Sequence, residues 1–378
     1  MFFILDGWNL LYDDSAVNCP GRYFDIKKMI VGYMTLPRNK SRRVTLDDVA
    51  TRARVSAVTA SRVLRKPEMV SADLRARVDS AVRELAYIPN QLASALASSH
   101  TGRIGVIVPS LTNGVFGDYL RALHDVFVPA GFQVLVLNSH YLAGREEKAI
   151  ATMLGQFPEA MILAGVDQTM QARKSLQQAG IPVVQTMEMT DDPIDINIGL
   201  SQREAGYAAA RHLFDLGHRH VGQISAPHDA RSRQRLEGYL QAVSEFGATP
   251  MLASTEDPCT VPLGGELLTE LLTRWPKVTG IFCGNDNLAL GALFECQRRG
   301  IRVPQDLSIM GFNDLEVSAC AFPSLSTIAV PRYEMARRAA EIILEITRGT
   351  GNRPKERQID LGFRLIARES TGKAQTSA

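Results

Sequence analysis

Residues 44–98 read VTLDDVATRARVSAVTASRVLRKPEMVSADLRARVDSAVRELAYIPNQLASALAS, and this stretch decides the architecture. Thr45 can cap a helix, with Asp48 three residues on to complete a capping box. Leu46, Val49, Ala50 and Ala53 then recur at the spacing of one helix face. A turn over 53–55 leads to Ser56, a second cap, and to a helix whose inner face is Ala60, Val63 and Leu64. Small Ala50 and Ala60 permit a close crossing of these two helices. Ser71 caps a third, with Leu74, Val78, Ala81, Val82 and Leu85 inward, and Pro89 is expected to stop it. This is the helix-turn-helix plan, in which the second helix enters the major groove of DNA. Beyond it, Asn90 can cap a short helix carrying Leu92, Ala95 and Leu96. Such a helix is too short to be stable alone in water, so residues 89–102 read as a conditionally folded hinge.

Charge agrees with that division. From Pro37 to His100 the chain holds 12 Lys/Arg against 6 Asp/Glu, whereas the whole protein has a net charge of only +2. A small basic segment around the 44–88 head, joined to a larger, mildly acidic unit, points to a polyanion binder attached to something else. A merely solvated basic surface is the plainer alternative. Residues 1–43 lack periodicity, and Met34 begins a more natural start. The first 33 residues are therefore expected to reflect an over-extended start, with an accessory or disordered arm as the alternative. There is no basic, cleavable leader pattern and no apolar run long enough to span a bilayer. The five cysteines (Cys19, Cys259, Cys283, Cys296 and Cys320) show neither a disulfide framework nor metal-ligand spacing. A reducing cytoplasm is the expected location, without membrane contact.

Residues 103–372 alternate apolar, β-branched runs with helical patterns. RIGVIVPSL, FQVLVLNS, EAMILAG, IPVVQTME, HVGQISA, TGIFCGND and DLSIMGFND read as strands that end in polar residues or Gly. That rhythm gives an α/β fold with parallel sheets and helices on both faces, and the length suits two lobes. Ligands in such folds sit beyond the carboxyl ends of the strands, here PSLTN, GND and GFND. An enzyme is the main competing class, but no GxGxxG follows a strand, and P-loop, GxSxG and HExxH motifs are absent. His218 and His220 read as turn residues rather than metal ligands. Neither cofactor nor metal is expected. A solute-binding protein would leave the basic head unexplained.

The quoted stretch resembles the DNA-binding head and hinge of the LacI/GalR family of transcription regulators. IGVIVPSLTNGVF, GHRHVGQI, RLEGYLQAV, GIFCGNDNLALGALFECQRRGIRVPQDLSIMGFND and PSLSTIAVPRYEMARRAAEIIL follow in the family's order, so the likeness runs from residue 44 to about 370. VPSLTNGVF, FECQRRGIRVPQDL and LGFRL are most similar to the gluconate-utilisation repressor subgroup. The resemblance implies a helix-turn-helix head with a hinge helix, then a two-lobed, periplasmic-binding-protein-like sensor domain. Its function would be repression of sugar-acid genes, relieved by a small effector; a neutral-sugar sensor or an activator is the alternative.

On that resemblance, the helix after Ser56 reads operator DNA. Ala57 and Val58 would meet base edges, where an apolar side chain suits a thymine methyl. Thr59, Ser61 and Arg62 complete the face, Arg62 contacting a guanine or a phosphate. Thr45, Ser56 and Ser71 would present helix N-termini to phosphates. Asn90, Ala93 and Leu96 match hinge positions that touch the minor groove. A Leu wedge there needs a symmetry mate, hence a homodimer on a pseudo-palindrome. For the effector, the resemblance implies Asn113, Phe116, Arg235, Asn285 and Asn313. Relatives often carry Asp where Asn313 stands. Its neutrality, with Arg231 and Arg233 nearby, suits an anion such as gluconate. The plainer alternative makes the asparagines turn formers and the arginines structural ion-pair partners.

Overall fold

The computed structural model describes residues 44–88, 100–226, 229–257, 259–349 and 352–375. The N-terminal extension and the hinge positions Asn90, Ala93 and Leu96 lie outside them. Contacts divide the chain into two compact units at Asn90/Gln91.

In the first unit, α1 (Leu46–Ala53) begins at a capping box. Thr45 Oγ1 accepts from Asp48 N–H, and Asp48 Oδ2 accepts from Thr45 N–H at 2.8 Å. Ser56 caps α2 (Ala57–Arg65) and Ser71 caps α3 (Ala72–Glu84). Val49, Ala53, Val63, Val78 and Ala81 form the core, with Ala50 and Ala60 buried at the crossing of α1 and α2. Leu46, Leu64, Leu74, Val82 and Leu85 are only half-buried. The turn is closed by Arg54 in the left-handed conformation (φ 55°) and tied down by Arg77 of α3. Arg77 Nη2 donates to the carbonyls of Ala53 (2.6 Å) and Arg54 (2.9 Å), a tie that periodicity does not reveal. α3 ends at Glu84, earlier than a stop at Pro89 would place it. Ala86 turns left-handed (φ 47°), and Tyr87 N–H bonds back to Val82 O, so the helix is capped before the proline matters.

The second unit holds two parallel sheets. The first lobe has strand order β11-β5-β4-β3-β1-β2, from β1 (Arg103–Val108), β2 (Gln133–Asn138), β3 (Ala160–Leu163), β4 (Val183–Thr186), β5 (Ile196–Gly199) and β11 (Gln358–Asp360). The second has order β7-β6-β8-β9, from β6 (Val221–Ser225), β7 (Met251–Ser254), β8 (Gly280–Cys283) and β9 (Ser308–Met310). The chain leaves the first sheet after β5, builds the second, and returns through α12 (Arg332–Arg348) to β11. One pair departs from the parallel rhythm: β10 (Thr327–Ala329) runs antiparallel to β12 (Arg364–Ile366). The helices between are α4 (Val115–Phe127), α5 (Ala143–Leu154), α6 (Met170–Ala179), α7 (Gln202–Asp215), α8 (Ala230–Glu245), α9 (Val261–Arg274), α10 (Asp286–Arg299) and the short α11 (Glu316–Cys320). No described helix is long and apolar enough to cross a membrane.

One helix crossing positions the site. A Cβ on Gly238 of α8 would lie 2.1 Å from Arg203 O, and one on Gly206 of α7 would lie 2.4 Å from Arg235 O. The two helices therefore meet backbone to backbone. That approach brings Gln202 Oε1 within 2.7 Å of Arg235 Nη1. This is the physical content of the RLEGY motif: the glycine seats the helix that carries the arginine. Gly238→Ala is expected to lower the stability of the sensor unit by about 1–3 kcal/mol through overpacking. Denaturant unfolding checks this; an unchanged midpoint would mean that the crossing tolerates the methyl group.

Candidate functional site

The head presents one helix end without acid. The first turn of α1 carries Asp47 and Asp48, and the Thr45 hydroxyl is engaged with the Asp48 carboxylate at 2.7 Å. Those carboxylates set that N-terminus against a phosphate. The first turn of α2 has none, and its last turn carries Arg62 and Arg65. Ser56 Oγ accepts from Thr59 N–H and also pairs with Thr59 Oγ1 at 2.9 Å, so the start of α2 is rigidly held. Val58 is 68 % exposed there, and Ala57, Thr59 and Ser61 are half-buried. An exposed valine at the start of a cationic helix gains nothing from the fold. Ser71 caps α3 with Asp73 in its first turn, which makes it a poorer anion site than Ser56.

In the sensor unit, a cavity of about 400 Å³ lies at the strand ends between the two lobes. Asn113, Phe116, Arg235, Asn285 and Asn313 all line it, together with Arg231. Arg233 does not: its side chain is more than half exposed and stands 3.9 Å from Asp167. Sequence reasoning missed Tyr141, Gln202, Asp229, Ser232 and Cys259 among the lining residues.

Each arm has a local cause. Ser110 Oγ accepts from the N–H groups of Thr112 and Asn113, shaping the loop after β1. Asn113 Oδ1 accepts from Val115 N–H, and its Nδ2 donates to Tyr141 Oη at 3.4 Å. Phe116 is almost fully buried and packs edge-on against Tyr119. Asn285 caps α10 through Leu288 N–H, so its Oδ1 has a structural duty. Asn313 sits at φ 116°, in a loop anchored by the neighbouring Asp286. Buried Asp286 takes hydrogen bonds from Leu315 N–H, Ser318 Oγ and Thr327 Oγ1. Burial raises its pKa, against those donors.

Charge is concentrated on α8. Asp229 caps the helix through Ser232 N–H and accepts from Arg231 Nε at 2.9 Å. Burial pushes the Asp229 carboxyl up, but Arg231, Arg235 and the Ser232 N–H outweigh it and hold the group well below the usual carboxylate range. Arg235 donates to Gln202 and Ser232 and lies over the Phe312 ring at 4.6 Å, a cation–π contact. Its Nε is buried with no acceptor among the described residues. Burial, with the Arg231 charge, lowers the Arg235 pKa; a guanidinium still keeps its proton at physiological pH. Elsewhere, His218 is buried in hydrogen bonds to Thr279, Ser308 and the Gly372 carbonyl, a clasp for the C-terminal tail. Among the described residues no His, Cys, Asp and Glu are grouped to hold a metal ion.

A helix-turn-helix unit followed by two parallel-sheet lobes around a polar cavity defines the class of ligand-responsive DNA-binding regulators. Residues 45–90 match bacterial regulatory proteins of the lacI family, and residues 210–371 match the periplasmic binding protein-like domain. The chain is 43% identical to the HTH-type transcriptional regulator GntR of Pseudomonas aeruginosa over 332 residues, 87% of this chain and 96% of that protein. It is 36% identical to the regulator of the same name from Escherichia coli, over 86% of this chain and 98% of that one. A lacI-family regulator from Silicibacter pomeroyi superposes with a TM-score of 0.81 at 34% identity, covering 86% of this chain and 99% of that chain. The lac repressor dimer bound to operator and an anti-inducer gives 0.72 at 27%, covering 88% and 100%. This protein belongs to the lacI family and is a DNA-binding transcription regulator, as its relatives are, not an enzyme.

Val58 provides a clean separation of stability from recognition. Val58→Ser is expected to leave the melting behaviour of the head within about 0.5 kcal/mol. It should change the discrimination between operator variants by on the order of 1 kcal/mol per affected base pair. Competition binding with single-base operator variants measures this, and an unaltered preference would remove Val58 from the reading face.

Proposed function

We propose that the protein is a repressor of sugar-acid catabolism genes, released from its operator when a gluconate-like acid binds between the lobes. Arg235 carries this reading: a buried guanidinium at the cavity wall, held by neutral Gln202 and Ser232 with no carboxylate bonded to it among the described residues. A carboxylate is the natural acceptor, because guanidinium–carboxylate bonds are short and strong. Asn113, Asn285, Asn313 and Gln202 supply neutral partners for hydroxyls, and Phe116 gives an apolar surface for the carbon chain.

The work divides along the chain. Residues 44–88 form the DNA-binding head, with Ala57, Val58, Thr59, Ser61 and Arg62 toward the major groove and Ser56, at the helix start that carries no acid, toward the backbone. Residues 89–102 form the hinge, with Asn90, Ala93 and Leu96 in the minor groove. Residues 103–372 sense the effector and dimerise, while residues 1–43 lie upstream of the functional unit. A homodimer on a pseudo-palindrome, working in the cytoplasm, fits the repressor dimer seen on its operator. A ligand that prefers one closure of the lobes shifts the population of that closure, and with it the spacing of the paired hinges.

Calorimetric titration of the wild-type protein and of Arg235→Ala with gluconate tests the effector. Loss of the charge-assisted bond is expected to weaken binding by about 10- to 100-fold. Equal affinity in the variant would overturn the carboxylate assignment.

A further inference from the structure

Glu188 follows β4 in the first lobe and is completely buried, yet it has no role in the effector reading above. Its Oε1 accepts from Val166 N–H at 3.2 Å. Its Oε2 has no hydrogen-bond partner among the described residues and stands 3.5 Å from Arg231 Nε, which belongs to the second lobe. The Arg231 guanidinium is thus shared by Asp229 on its own helix and Glu188 across the cleft.

Counting charge around this cluster leads to a conclusion about ligand choice. With Glu188 ionised, the four groups Arg231, Arg235, Asp229 and Glu188 sum to zero, the first three lining the cavity and Glu188 lying behind it. A carboxylate entering then brings an uncompensated buried charge, which is costly. With Glu188 protonated, they sum to one net positive charge, matching a monoanion. We propose that Glu188 is the charge-setting residue beside the cavity, holding one proton whenever a sugar monocarboxylate is bound beside Arg231 and Arg235. This rests on the effector reading given above and adds to it the ligand's charge and its coupling to pH.

Of the raised carboxyls in this cluster, Glu188 is the one that stands against the Arg231 guanidinium. Burial pushes its carboxyl up to about 8, with Asp229 and Asp167 adding to the effect of burial and Arg231 and Val166 N–H opposing it. Asp229 is held far too low to take the proton, for the reasons already given. Asp167, beside Val166, accepts from Ala230 N–H at 3.3 Å and faces Arg233. Tyr141 and Glu146 share the field of Arg231, and burial raises both. The sign follows from these positions. Well below pH 8 Glu188 holds its proton in the free and the bound protein, so binding exchanges none. Through pH 8 and above, the free protein has lost the proton and the complex retains it, so binding consumes one and weakens as pH rises.

The test is calorimetric titration of the full-length protein with gluconate, in pairs of non-phosphate buffers of different ionisation heat. At about pH 6 no proton exchange is expected; near pH 8.5 about half a proton or more should be taken up, with affinity falling about tenfold per unit at the steepest. Glu188→Gln, neutral at every pH, should bind gluconate and show neither uptake nor that decline. Binding by the wild-type protein with no proton uptake near pH 8.5, or equal uptake by the variant, would overturn the proposal alone. No gluconate binding at any pH would overturn the effector reading and this inference with it.

Discussion

Two guanidinium groups, those of Arg231 and Arg235, are buried on one helix at the junction of two lobes, and the sensor unit is organised around keeping them there. Such charges are tolerated only when paired or hydrogen-bonded. Asp229, Gln202 and Ser232 supply partners from the second lobe, and Glu188 supplies one from the first. The Gly206–Gly238 crossing brings the helices close enough for Gln202 to reach Arg235. Asp286 fixes the loop that carries Asn313, beside the Phe312 ring on which Arg235 lies. The cavity is polar because the charge it contains has to be shared between two bodies.

That sharing links binding to shape. Asp167 and Glu188 lie on one lobe, and Ala230, Arg231 and Arg233 on the other. An anion that competes for Arg231 acts on contacts made only when the lobes approach as they do here. A ligand shifts a two-state equilibrium only through such differential contacts.

Much of this was legible in the sequence, for identifiable reasons. Helix caps at Thr45, Ser56 and Ser71 are local chemistry, so spacing reveals them. The parallel strands announce themselves as apolar runs, and residues at their polar ends meet in one cavity, as do Asn113, Asn285 and Asn313. What was not legible depends on distance along the chain. Glu188 lies more than forty residues before Arg231 and looks like any loop carboxylate. Arg77 reaches back to the Ala53 carbonyl, and β12 returns antiparallel to β10, neither with a periodic signal. For Arg231 the structure favours the plainer of the two readings, an ion-pair partner, with Asp229 on its own helix and Glu188 beside it. The early end of α3 came from a left-handed alanine, a position that composition favours for glycine.

The central claim is that one chain couples an operator to a sugar acid. Fluorescence anisotropy of a labelled pseudo-palindromic duplex from the gene's own upstream region, against a scrambled duplex, addresses it directly. The protein should bind the first duplex specifically and release it when gluconate is added at fixed salt. Specific binding that ignores gluconate at saturating concentration would contradict the coupling.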